Sequence, residues 1–370
     1  MLFVVGGSMA FFFSMLLLGK KPKSLADKIL SSWMFCVGIH LFMFYFSYTE
    51  FDMKHPHLLG LAGPLPFVHG PFLYLYSAAL TQKLENWNKR ILLHFIPVAL
   101  FYLIYSEILF TYSGQEKIAF VEAVKAGETR WPLPLFLPAM IISAVSYMHL
   151  TRKLYFQHQQ NIQQQLSFDT ASVNLHWLRN LMIGLSSVWT VVIIINITGA
   201  NSQTDQVIFI SVVLFVAFIG YYGIRQGDIF ASPGLPPTPD KEPDSVRYQK
   251  SGLKDHDIER IESSLVQLMA EHKVFLRETL SLPQLAKELN THSTYLSQVI
   301  NDRFKQNFYD FVNTYRIEEF KTLVDDPNNR ALTIAALAQD CGFASKASFN
   351  KSFKKFNQQT PSEYISTLPN

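Results

Sequence analysis

Apolar residues run almost without interruption through seven stretches of this chain, at residues 2–18, 29–48, 58–80, 91–110, 133–155, 177–198 and 207–225. Each approaches the length of about 20 residues that a helix needs to cross a bilayer. From Leu253 onward the pattern changes. Ile258, Ile261, Leu265, Leu268 and Met269 recur at helical spacing and predict an amphipathic helix. A short helix is expected at 283–289 with Leu285, Ala286 and Leu289 inward, then a turn at Asn290 and Thr291. A second helix at 293–301 would bury Leu296, Val299 and Ile300. A long helix at 308–324 follows, and then the pattern repeats: a short helix at 333–340, a turn through Cys341, Gly342 and Phe343, and a helix from the Ser345 cap to about residue 356. Pro361 opens a last short helix at 361–366.

The sequence thus predicts an all-α protein. A seven-helix transmembrane bundle precedes a cytoplasmic domain in which two helix-turn-helix units are joined by a long helix. The expected boundaries are 1–225 for the membrane domain, 226–252 for a linker and 253–370 for the soluble domain, with the helix-turn-helix units near 283–301 and 333–356. Five prolines between Ala231 and Pro243 exclude a helix there and predict an extended, semi-rigid connection.

Composition supports the division. Only 16% of the 370 residues are charged and 31 are Phe, whereas an ordinary soluble domain has about 25% charged residues. A disordered chain, a collagen-like fibre and a disulfide scaffold are excluded. Residues 1–225 hold 15 Lys and Arg with 10 Asp and Glu; the remaining 145 residues hold 17 and 19. With the N-terminus outside, the inner loops carry ten basic residues (Lys20, Lys21, Lys23, Lys28, Lys83, Lys89, Arg90, Arg152, Lys153 and Arg179) against four outside (Lys54, Lys117, Lys125 and Arg130). That asymmetry places the C-terminal half in the cytoplasm and the protein in the inner, cytoplasmic membrane. The lysines that follow the first stretch, rather than preceding it, do not fit a secretory leader.

Candidate chemistry is sparse. The two cysteines, Cys36 and Cys341, read as small buried hydrophobes. His40, His69, His94, His149 and Glu107 fall in or near spans, where ionisable groups mark either a ligand site or hydrogen bonds between helices. His55 and His57 make a poor metal pair. Pro64, Pro66 and Pro71 predict a kink in the third span. No hydrolase elbow, zinc-protease or phosphate-loop motif is present, so neither an enzyme nor a cofactor is expected.

Residues 255–368 resemble the DNA-binding domain of the AraC/XylS-type bacterial transcription regulators. The resemblance is strongest from Ile334-Ala335-Ala336-Leu337-Ala338 through Cys341-Gly342-Phe343 and Ser348-Phe349 to Phe353-Lys354-Lys355, closed by Thr360-Pro361-Ser362-Glu363-Tyr364. Leu285-Ala286, Tyr295-Leu296-Ser297 and Tyr315-Arg316-Ile317 extend it to the first unit. The whole chain resembles the membrane-tethered members. Three positions depart from the family pattern: Gln358 and either Gln306 or Asn307 stand where glycine is usual, and Ile365 where arginine is frequent.

The resemblance implies that the exposed face of the first reading helix offers His292, Thr294, Ser297 and Gln298 to DNA. The second offers Lys346, Ala347, Asn350 and Lys351 to base edges, with Lys354 and Lys355 toward phosphate. From Cys341 to Ser362 there are four lysines and no acidic residue. An 18-residue linking helix would span about 27 Å, near the roughly 34 Å between successive major grooves. The implied partners are double-stranded promoter DNA, the lipid bilayer, an unidentified signal ligand, a second copy of the chain, and RNA polymerase if the protein activates. A membrane receptor or transporter-like protein whose C-terminal helices bind a protein partner is the alternative.

Overall fold

The computed structural model describes residues 2–81, 83–84, 86–168, 176–198, 202–230, 255–329 and 331–368. The expected proline-rich linker lies, from residue 231, outside the described residues. The described chain is helical, with one isolated antiparallel bridge and no strand. It divides into two compact units, Met1–Phe156 with Leu175–Pro237, and Gln157–Asn174 with Thr238–Asn370.

The first unit is built on α1 (Leu2–Gly19), α2 (Leu25–Tyr48), α4 (His69–Leu80), α8 (Leu133–Gln165) as far as Phe156, α9 (His176–Thr198) and α10 (Ser202–Phe230). Shorter helices α3 (Phe51–Lys54), α5 (Ile96–Ile104), α6 (Ser106–Phe110) and α7 (Gly114–Lys125) fill the connections. Among the described residues, α1, α2, α8 and α9 are long and apolar enough to cross a membrane, and α10 carries a shorter apolar segment, Gln206–Tyr222. The third and fourth apolar stretches are broken. Pro66 starts a 3-10 turn over Leu65–Val68, and Pro71 sits in the first turn of α4. Proline is tolerated there because no helical N–H is lost. The prolines therefore delay the start of the helix instead of kinking its interior, which corrects the expected kink.

α1 packs closely on α2 and α10. A Cβ on Gly38 would meet the Phe11 ring at 2.6 Å, and one on Gly220 the Phe13 ring at 2.0 Å. Small residues of this kind let apolar helices approach where burial from water supplies no force. Ser14 and Ser31 exchange hydroxyl-to-carbonyl bonds of 2.9 Å across the same contact. Trp33, Met34, Tyr76, Leu178 and Ile219 fill the core, while Phe12, Leu103, Phe110, Ile142, Val145, Ile183 and Leu214 are exposed.

The second unit holds two cores threaded by one helix. α11 (Asp255–His272), α12 (Leu282–Glu288) and α13 (Ser293–Phe304) surround Leu265, Leu285, Leu296 and Val299, closed by Phe308, Phe311 and Val312 of α14 (Phe308–Asp325). Ile317 and Phe320, farther along α14, enter the second core with Leu337 of α15 (Ile334–Asp340) and Phe349 and Phe353 of α16 (Lys346–Asn357). α17 (Pro361–Thr367) adds Tyr364, edge-on to Phe353. Caps fix these boundaries: the Thr333, Ser345 and Thr360 hydroxyls each accept an N–H three residues on.

Candidate nucleic-acid interface

Both reading helices begin at a side-chain cap. The His292 Nδ1 accepts the Thr294 N–H at 3.3 Å at the start of α13. With Nδ1 accepting, a neutral imidazole carries its hydrogen on Nε2, on an exposed ring. Thr294 and Ser297 are half-buried, and the Ser297 carbonyl takes the Asn301 amide at 2.9 Å. Gln298 departs from the expected exposed face, because it is only 8% exposed. α11, α12 and α14 all pack on α13, so more of its circumference is covered than its apolar stripe indicates.

On α16 the six expected residues Lys346, Ala347, Asn350, Lys351, Lys354 and Lys355 are all exposed. They project from a helix whose opposite face is anchored by Phe349 and Phe353. Lys351 Nζ stands 5.9 Å from the centre of the Tyr309 ring. The Lys355 ammonium is bonded to both oxygens of Asp310 on α14 at 2.7 and 2.6 Å. It ties the second reading helix to the shared one. The local reason is that Asp310 is an acid in the first turn of α14, facing a lysine in the last turn of α16.

The turn between α15 and α16 needs its glycine twice over. Gly342 has φ +87°, and a Cβ there would meet the Leu276 carbonyl oxygen at 2.7 Å. At the departures from the family pattern, Gln358 takes the left-handed conformation, φ +58°. Before α14 the left-handed residue is Lys305, φ +55°, while Gln306 bonds Thr314 and Asn307 caps the helix. Burial pushes the Cys341 thiol up to about 12, in keeping with a small packed side chain.

The structural role of one residue, quoted above only within Tyr315-Arg316-Ile317, was not legible in the sequence. Arg316, fully buried between the two cores, donates to the carbonyls of Phe275 at 2.7 Å, Arg277 at 2.7 Å and Ser167 at 2.8 Å. Burial lowers its pKa to about 10. Ser167 is itself paired with Leu280 through N–H and hydroxyl bonds of 3.2 and 2.7 Å. The available signal was an arginine one turn from Val312 and one from Phe320, inside the apolar stripe of α14. Nothing local marked Ser167, which is 149 positions away.

Residues 285–367 match the family described as "Helix-turn-helix domain". An uncharacterized HTH-type transcriptional regulator of Staphylococcus aureus strain COL is 34% identical over 100 residues. The corresponding proteins of strains N315 and MW2 have the same identity over the same length. In each case the match covers 26% of this chain and 13% of the relative. The chain therefore shares with these relatives a domain rather than an architecture. No solved structure matches. Residues 285–367 are thus matched as a helix-turn-helix domain.

Proposed function

We propose that the chain is a membrane-bound, one-component transcription regulator that binds promoter DNA sequence-specifically and is not an enzyme. The observation that carries this reading is the pair of capped helices, α13 and α16, mounted on one helix, α14, with a lysine-rich outer face on α16. α14 has 18 residues and a length of about 27 Å, suited to two reading helices in successive major grooves. Asn350, Lys351, Lys346 and the outward His292 are the base-edge candidates, with Thr294, Ser297 and Ala347 lining the same faces. Lys354 is the phosphate candidate, since Lys355 already has a carboxylate partner.

The first unit is proposed to cross the membrane seven times, N-terminus outside and C-terminal domain in the cytoplasm. The breaks at Leu65–Val68 and at Tyr105 fit because irregular backbone is tolerated at membrane depth when protein covers it, and Phe67, Val68 and Tyr105 are buried. The exposed apolar side chains of α8, α9 and α10 support a lipid-facing surface.

The test is binding of the full chain, held in lipid nanodiscs, to a pool of randomised duplexes at several salt concentrations. Enrichment of a bipartite sequence, with affinity falling steeply as salt rises, is the expected result. Salt-independent association without sequence enrichment would favour a protein partner for the C-terminal helices instead.

A further inference from the structure

A cavity of about 350 Å³ lies in the first unit among α2, α4, α8, α9 and α10. Its wall is chiefly apolar, with Val37, Phe44, Met140, Val188 and Phe209 among the lining residues. Two histidines interrupt it. Trp33 Nε1 lies 3.1 Å from His69 Nδ1, and His69 Nε2 lies 3.2 Å from His40 Nδ1. The direction of this chain follows from chemistry. An indole nitrogen only donates, so His69 Nδ1 accepts and its hydrogen resides on Nε2. That hydrogen goes to His40 Nδ1, which leaves the neutral His40 ring with its own hydrogen on Nε2. The tautomers are thus assigned from the hydrogen-bond chain.

His40 Nε2 is buried and has no hydrogen-bond partner among the described residues. A buried donor left unmade is costly, and such groups call for an explanation. His40 lines the cavity, and Nε2 is the one ring nitrogen not committed to His69. The remaining polar groups on the wall are the Trp189 indole and the Asn196 amide, which donates to the Val192 carbonyl of its own helix at 2.8 Å. Among the described residues no charged side chain lines the space, so an ionic ligand would be unpaired by them.

We infer that this cavity binds a neutral, largely apolar small molecule that accepts one hydrogen bond, through a carbonyl or similar oxygen, from His40 Nε2–H. The volume is at the lower end of the range for small-molecule sites, roughly 300–1,000 Å³. The polar pole is prepared in advance: Trp33, itself fully buried, fixes both tautomers so that a donor faces the ligand. The inference rests on the membrane reading of the first unit and is independent of the DNA reading.

The probe is 2-acetylnaphthalene, compared with 2-isopropenylnaphthalene, which has the same shape but a methylene in place of the carbonyl oxygen. Binding to the full chain in nanodiscs is read by titration against empty nanodiscs, and the bound ketone by its isotope-edited carbonyl stretch. The expected result is saturable binding of the ketone, about 10-fold tighter than the hydrocarbon, with the carbonyl band shifted to lower frequency. His40→Phe should abolish the preference, and Trp33→Phe, which releases the tautomers, should reduce it. Equal affinities for the two probes, or no saturable binding of the ketone, would overturn the inference. That comparison uses the unsubstituted chain, so it stands even if a variant fails to insert. Because no DNA is present, its failure leaves the DNA reading untouched, and a chain that never enters the bilayer would instead break the membrane reading.

Discussion

The two units have apolar cores in common and differ in what they expose. In the first, large apolar side chains such as Phe110, Ile142, Ile183 and Leu214 lie exposed, while the Ser14–Ser31 exchange and the Trp33–His69–His40 chain lie within. In the second, charge lies outside and the phenylalanines Phe311, Phe320, Phe349 and Phe353 are fully buried. Among its described residues the exposed large apolar side chains are Val266 and Leu332. One genetic code and one set of helix propensities serve both; the solvent that each surface meets decides which side chains turn out. The contrast also shows what each unit can hide. On the membrane reading proposed above, the first unit would keep its polar groups in its interior, whereas the second carries them on a helix surface.

The sharpest exception to the contrast is Arg316, a charge in the interior of the second unit. Arg316→Ala would strip donors from the carbonyls of Phe275, Arg277 and Ser167 at once. A loss of about 3–5 kcal/mol of stability is expected, measured as the thermal or denaturant midpoint of the second unit within the full chain. A change below about 1 kcal/mol would mean that those carbonyls find other donors and that the buried charge is dispensable.

The next test sets like surfaces against each other. Ile183→Arg, on the exposed face of α9, should cost about 2.5–3.5 kcal/mol of insertion free energy if that face meets lipid. Val266→Arg, also at an exposed position but on α11, should stay within about 0.5 kcal/mol. The inserted fraction and the unfolding midpoint of each variant give the two numbers. Similar small effects at both positions would erase the distinction between the units.

Within the second unit the comparison narrows to single side chains of α16. Asn350→Ala or Lys351→Ala should cost about 1–3 kcal/mol of DNA binding and relax preference at particular base positions. Lys354→Ala should weaken all sequences alike and lower the salt slope by about one. The smallest effect belongs to Lys355→Ala, because its partly exposed pair with Asp310 contributes only about 0.2–1 kcal/mol to stability. Base preference should not change. Selection from randomised duplexes separates the three outcomes, and a changed preference in Lys355→Ala alone would put α16 in a different register on the groove.

The parts legible in the sequence are those set by near neighbours. Caps at Thr333, Ser345 and Thr360, Gly342 in its turn, and the apolar spacing of α13, α14 and α16 lie within a few residues of what they control. The helix boundaries of the second unit consequently agree with the pattern to within a few residues. Features that depend on distant packing were not legible. Gln298 is covered because three helices converge on α13, and Arg316 depends on Ser167, far away in the chain. The third apolar stretch, continuous in composition, is interrupted in structure because Pro66 and Pro71 act on backbone geometry, to which hydropathy is blind. His40 and His69 were each visible as polar positions in spans; their meeting, 29 positions apart, was not.

We propose that one chain carries a DNA-reading surface on a bilayer-anchored body. The most direct test is to cross-link cells expressing the intact chain, separate membrane from soluble fractions, and sequence the DNA recovered with the protein. The account predicts a limited set of sites in the membrane fraction, each containing two short motifs about one helical turn apart. Those sites should be lost in the Asn350→Ala, Lys351→Ala double variant. Recovery of the chain in the membrane fraction with no enriched DNA, or with sites unchanged by that double variant, would contradict it.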